Sequence, residues 1–370
     1  MTQELKAVDY VSAIDPYDPG QPLAKTAEAL GLSLERLVLL NANENPLGMS
    51  EHVKKAIAQE VSGMNRYPDG GAFALRQAIA QINGVNPDQV IHGNGSDELL
   101  GLIAGAYLAP GRRCVFSQYS FSVYRLSAEA RGATCIEVPV LPSFDYDLPA
   151  LVREASHPDT SVLFLTNPNN PTGLCLDLNA LDEALKAIPA HVLVVLDEAY
   201  REFSAPHTRA DAARLLAAHP NVLVARTFSK AYGLAGFRVG YALANAPIVE
   251  MLNRIRGPFN VNRLAQSAAC AALLDQDFVE HSYQHNKRER EALEAVLDQL
   301  GVRYIRSETN FMMIQVAQAA ALIQSLKQAG ILIRGLVSYG LTDWIRVSIG
   351  THEQMQQFTE HFVQFIKSHS

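Results

Sequence analysis

Cysteine is scarce in this chain, and its four residues, Cys114, Cys135, Cys175 and Cys270, form no CxxC pair. They stand among small or apolar neighbours and read as reduced core thiols, which points to the cytosol. Long apolar runs are also lacking. None could span a bilayer, and Met1–Asp9 has no apolar signal core, so neither membrane insertion nor export is expected. No block of Lys or Arg occurs and the formal net charge is −7, which argues against nucleic acid or an anionic membrane as the main partner. His281 and His285 have i, i+4 spacing on a predicted helix, yet no third ligand stands near and HExxH is absent. No metal is expected there. Internal repeats and low-complexity tracts are missing too.

What is present is a chain of 370 residues, 48% hydrophobic and 19% charged. That is ordinary globular material, enough for a large core and two or three domains. The stretch Thr227–Gly240 stands out. It follows the apolar run Asn221–Arg226, a predicted buried strand, and sets Lys230 among hydroxyls and small residues, with Arg238 eight positions on. Gly233, Gly236 and Gly240 allow close approach of backbone and ligand. Ser229 and Arg238 could reach one phosphate. A lysine beside a bound aldehyde can condense with it as a Schiff base.

In chain order, Met1–Leu40 is an arm marked by Pro and Gly, and Leu40–Pro46 leaves a short strand into an Asn-rich turn. A helix capped by Ser50 runs to about Val61, and Ala72–Asn83 is helical with Gly84 at its end. The strand Gln89–His92 enters Gly93–Glu98, ahead of a helix over Leu99–Leu108. Such a turn can cap a helix or present N–H groups to a phosphate. Glu98 stands where a dinucleotide fingerprint needs its third glycine, which argues against a Rossmann dehydrogenase.

Strands are predicted at 113–116, 134–138, 161–165 and 192–196, with helices between most of them, as in a parallel sheet buried on both faces. The last two end in polar clusters, Thr166–Gly173 and Asp197–Tyr200. A carboxylate directly after five apolar residues is either buried with a partner or a loop cap. After Arg263 a long helical region runs to about Leu300. An α+β unit follows, with strands at 303–306, 311–316, 331–333 and 344–349 and a last helix capped by Thr351. Arg334 and Arg346 lie at or near its strands, as ligands or as salt-bridge partners.

These polar clusters together fit pyridoxal 5'-phosphate. It needs a lysine for its aldehyde, a carboxylate for its ring nitrogen, donors to its ring oxygen, a stacking surface and a phosphate cup. Lys230, Asp197, Asn170 with Tyr200, Phe121, and Gly95-Ser96-Asp97 with Arg238 supply them from different strand ends. The chain thereby resembles the fold-type I, pyridoxal-phosphate-dependent aminotransferases (class II), and within them the histidinol-phosphate aminotransferases. The matching motifs are Leu40–Pro46, Arg66–Asp69, Gly93–Leu99, Asn167–Gly173, Asp197–Tyr200, Thr227–Gly240 and Ile345–Thr351. They span nearly the whole chain.

The resemblance implies an α/β fold. A large, doubly wound, mostly parallel domain over residues 41–262 would be joined by a small α+β domain from 1–40 and 263–370. It implies Lys230 as covalent anchor and proton carrier, Asp197 at the ring nitrogen, and Asn170 and Tyr200 at the ring oxygen. Phe121 takes the stacking position, where many relatives carry tyrosine. Gly95, Ser96, Asp97, Thr227, Ser229 and Arg238 belong to the phosphate cup. Tyr67 reaches the neighbouring subunit's cofactor, which implies a homodimer with shared sites. Tyr17, Asn43, Arg334 and Arg346 match substrate-side positions. The implied reaction moves an amino group between histidinol phosphate and 2-oxoglutarate. Aromatic amino-acid aminotransferases and a phosphothreonine decarboxylase use nearly the same site. A ligand sensor fused to a DNA-binding domain would need more room than the arm before Asn41 offers.

Overall fold

Strand β6, Leu193–Asp197, shows how the sequence builds the core. Its side chains alternate between sheet faces. Val194 and Leu196 join one apolar cluster with Leu163, Leu165, Val222 and Val224. Leu193 and Val195 join a second with Val162, Phe164, Leu223 and Ala225. Both faces are therefore covered, which is why these strands read as unbroken apolar runs. In the computed structural model, which describes residues 5–16 and 20–369, β6 is the centre of a seven-stranded sheet.

The preceding strands are β1 (Val38–Leu40), β2 (Val90–Gly93), β3 (Arg113–Ser117), β4 (Thr134–Val138) and β5 (Thr160–Thr166), and β7 (Val222–Thr227) and β8 (Gly240–Ala244) follow. The large sheet has the order β2-β8-β7-β6-β5-β3-β4. Only β8 runs against its neighbours, pairing antiparallel with β2 and β7. Hence the other six strands, β2 to β7, end at one edge of the sheet. Strand β8 was not among the predicted strands, because Gly-Tyr-Ala-Leu-Ala has little β propensity. Its first residue must be small: a Cβ on Gly240 would lie 2.7 Å from the Ser96 nitrogen.

The second sheet has five strands in the order β1-β11-β12-β10-β9. Here β9 is Tyr304–Ile305, β10 Phe311–Gln315, β11 Ile331–Leu336 and β12 Leu341–Ser348. Strand β1 pairs in parallel with β11, from Val38 with Ile331 to Leu40 with Ile333, so the chain before Asn41 is stitched to its C-terminal part. The helices Ala319–Gln328 and His352–Ser368 pack on this sheet through Leu322, Leu326, Phe358 and Phe362.

Two helix boundaries differ from expectation. The helix expected from Leu99 spans Gly95–Tyr107, because the Glu98 carboxylate accepts from the Asn94 N–H at 2.5 Å and folds the glycine turn into its first turn. The long region after Arg263 is two helices, Arg263–Leu274 and Gln276–Leu300. Asp275 lies between them and accepts from the Phe278 N–H, starting the second as a side-chain cap.

A buried ion pair locks β6 to β7 beside the edge where the strands end. Arg226 and Glu198 are 3% and 2% exposed, and Arg226 Nε donates to Glu198 Oε2 at 2.8 Å. Removing one partner leaves a charge in a dry site. Arg226→Met is expected to cost about 3 kcal/mol or more of unfolding free energy. Adding Glu198→Gln should recover much of it in urea titrations. A double variant whose loss equals the sum of the two single losses would refute this coupling.

Candidate active site

Asp197 ends β6 and is 3% exposed. Its Oδ2 accepts from the Tyr124 hydroxyl at 2.7 Å and its Oδ1 from the Ala199 N–H at 3.1 Å. Burial pushes this carboxyl up to about 6, against the pull of those two donors. Of the two readings open from sequence, the buried carboxylate with a partner is the one observed. Tyr124 is itself buried, stacked on Phe164 with ring centroids 4.5 Å apart, and meets Phe121 edge-on at 5.9 Å. Phe121 is half-buried beside them.

Lys230 follows β7 and is half-buried. Its Nζ donates to the Ala42 carbonyl at 3.1 Å and lies 5.8 Å from the Tyr200 ring centre. Burial, and then the Arg346 guanidinium, lower this amine to about 8. A sizeable neutral, nucleophilic fraction thus exists near neutral pH. The Tyr200 hydroxyl accepts from Asn43 Nδ2 at 3.1 Å and Asn170 Nδ2 at 3.3 Å. Arg346 Nη1 donates to Asn170 Oδ1 at 2.6 Å, and Nη2 to the Asn41 carbonyl at 3.0 Å. The Ser348 hydroxyl bonds Asn43 Oδ1 at 2.9 Å. Asn43 thus bridges the small sheet to Tyr200, in the turn that follows β6.

A third group surrounds the start of the Gly95–Tyr107 helix. Gly95 has φ +79, and a Cβ there would collide with the Arg238 guanidinium. Arg238 Nη2 pairs with Asp97 at 3.1 Å, and its Nη1 lies 3.4 Å from the Ser229 hydroxyl. Thr227 Oγ1 accepts from the Ser229 N–H at 3.1 Å. Helix-start amides of Gly95 and Ser96, two hydroxyls and a guanidinium are a donor set suited to a dianion.

The remaining expected residues lie further out. Tyr67 is 78% exposed and stacks on Phe259 at 4.6 Å. Arg334 is exposed on β11, directly opposite Arg346 across the antiparallel β11–β12 pair. Tyr17 lies outside the described residues. Sequence reasoning missed Tyr124, Ser348 and the Ala42 carbonyl. Tyr124 carried one signal, its i, i+3 spacing from Phe121.

A mostly parallel sheet with a lysine, a carboxylate and an anion cup at one edge defines the fold-type I aminotransferase architecture. The family of class I and II aminotransferases matches residues 35–362, and this chain belongs to it. It is 45% identical over 355 residues to histidinol-phosphate aminotransferase 1 of Dechloromonas aromatica, covering 96% of this chain and 97% of that one. It is 43% identical over 358 residues to the histidinol-phosphate aminotransferase of Methylobacillus flagellatus, covering 97% and 96%. The crystal structure of histidinol-phosphate aminotransferase from Sinorhizobium meliloti in complex with pyridoxal-5'-phosphate has a TM-score of 0.90 to this chain. The identity is 27%, and 100% of each chain is covered.

The raised Asp197 carboxyl has a consequence for stability. It binds its proton more tightly folded than unfolded, so its contribution is full below about pH 4 and is lost as pH rises through about 6. In ligand-free protein, Asp197→Asn should therefore be more stable than the parent at pH 8, by on the order of 3 kcal/mol. The difference should vanish towards pH 4. Denaturant melts at both pH values check this, and an equal difference at both would contradict it.

Proposed function

We propose that this aminotransferase moves the amino group of histidinol phosphate to 2-oxoglutarate, forming glutamate, with pyridoxal 5'-phosphate as cofactor. The residues fit that cofactor: an enclosed amine lowered to about 8, a buried carboxyl at about 6 and the cup led by Gly95. When bound, the cofactor supplies an aldehyde for an amine and a ring that accepts electrons. Lys230 Nζ would hold the aldehyde carbon, and later take the proton from the substrate Cα and return it. Asp197 would hold the proton on the ring nitrogen. Asn170 Nδ2 and the Tyr200 hydroxyl would face the ring oxygen, and Phe121 would cover the ring face. Gly95, Ser96, Asp97, Thr227, Ser229 and Arg238 would orient the phosphate.

The observation that carries the substrate is the register of β11 and β12. Residues directly opposite in an antiparallel pair share a sheet face, and like charges there repel. Arg334 and Arg346 form such a pair, and an anion between them offsets that repulsion. Asn43 bonds Ser348, two residues from Arg346 on β12, and Tyr17 and Asn43 would also bind the substrate. A phosphate ester suits two planar guanidinium groups. The names of the curated relatives support the same substrate.

The protein would work as a homodimer in the cytoplasm. The exposed Tyr67–Phe259 stack offers a surface for a second copy, and Tyr67 would complete the partner's cofactor site. Unpaired thiols suit a reducing compartment, and among the described residues no helix is long and apolar enough to cross a membrane.

Removing Arg334 tests the substrate. Arg334→Ala should lower kcat/KM for histidinol phosphate by roughly tenfold to a hundredfold, the worth of a charge-assisted bond. The loss with phenylalanine should be smaller. Equal losses would remove the argument for the phosphate ester, and a parent enzyme that prefers phenylalanine would favour an aromatic aminotransferase.

A further inference from the structure

Tyr124 has no part in the roles set out above, yet it is fully buried and touches the carboxylate on which they depend. Its hydroxyl lies 2.7 Å from Asp197 Oδ2 and 2.7 Å from Thr166 Oγ1. The direction of these bonds follows from chemistry. An ionised carboxylate only accepts, so Tyr124 donates to Asp197 and Thr166 donates to Tyr124. The ring cannot swing away, since it is stacked on Phe164 with 3° between the planes. The second oxygen of Asp197 is met by the Ala199 N–H. Each oxygen thus has one protein donor and keeps lone-pair capacity for one more.

We infer that Tyr124 is a positioning residue for the cofactor: the chain Thr166–Tyr124–Asp197 holds the carboxylate ionised and aimed at the ring nitrogen. This rests on the pyridoxal-phosphate reading. The groups facing Asp197 explain why a donor is needed. Asp97 from the helix start and Glu198 from its own strand end both favour the protonated form. The Tyr146 and Tyr200 hydroxyls are held above their usual range by burial, so neither supplies positive charge. Tyr124 and the Ala199 N–H are the nearby groups that favour the ion.

The test compares wild type with Tyr124→Phe, which keeps the stacked ring and deletes only the donor. Stripped protein is titrated with pyridoxal 5'-phosphate from about pH 5 to about pH 9. The variant should bind roughly tenfold to a hundredfold more weakly at neutral pH, with its binding curve moved to higher pH. A second readout needs no cofactor. The stability of ligand-free Tyr124→Phe should go on falling with pH beyond the point where wild type levels off. That difference should disappear when both proteins also carry Asp197→Asn. Should Tyr124→Phe not fold, Thr166→Val carries the same two measurements, with a smaller shift in the same direction.

Wild-type affinity with an unmoved pH dependence would overturn the inference. So would a stability difference that survives in the Asp197→Asn background, since Tyr124 would then be packing alone. If wild type bound no pyridoxal 5'-phosphate, the proposed function would fail, while the ligand-free comparison would still decide the role of Tyr124.

Discussion

A carboxylate held out of water at the end of a parallel strand sets the terms for the rest of this structure. Burial pushes the Asp197 carboxyl up, and two donors resist this, leaving it at about 6. Across the same edge, burial and Arg346 bring Lys230 down to about 8. One environment thus moves an acid and a base towards neutrality from opposite sides, which brings both within reach of proton chemistry near pH 7. Neither shift would survive free access of water. The apolar sheet behind them and the packed rings of Tyr124, Phe164 and Phe121 therefore belong to the chemistry as much as to the fold.

The fold gathers these groups by ending six strands on one side. Open α/β sheets bind ligands in the crevice beyond the carboxyl ends of their strands, and here the small sheet closes over that crevice. The seam between the sheets is polar and specific. Asn43 meets Ser348 on one side and Tyr200 on the other, Arg346 reaches Asn170, and the Asn310 side chain donates to the Asn43 carbonyl. These bonds join residues far apart in sequence. A shift of the small sheet would therefore be felt at the groups around Lys230.

Much of this is legible in the amino-acid sequence. Asp197 announces itself as a carboxylate at the end of an apolar run, and Thr227–Gly240 as a loop of hydroxyls, glycine and two cations. Local patterns carried this information, as they did for the Ser50 and Thr351 caps. What was hidden depends on register and distance. Tyr124 looks like any aromatic residue on a half-buried helix until Thr166 and Asp197 are seen to converge on its hydroxyl. The opposition of Arg334 and Arg346 depends on how β11 and β12 align, with an irregularity at Gly335/Leu336, and spacing along the chain cannot show this. Strand β8 escaped notice because partners on both sides, rather than its own residues, make it a strand.

The central claim is that Lys230 is the covalent anchor of the site. It is tested most directly by loading the protein with pyridoxal 5'-phosphate, reducing it with borohydride and mapping the modified peptide by mass spectrometry. A single stable adduct on Lys230 is the predicted result. An adduct on another lysine, or none in protein shown to hold the cofactor, would contradict the account.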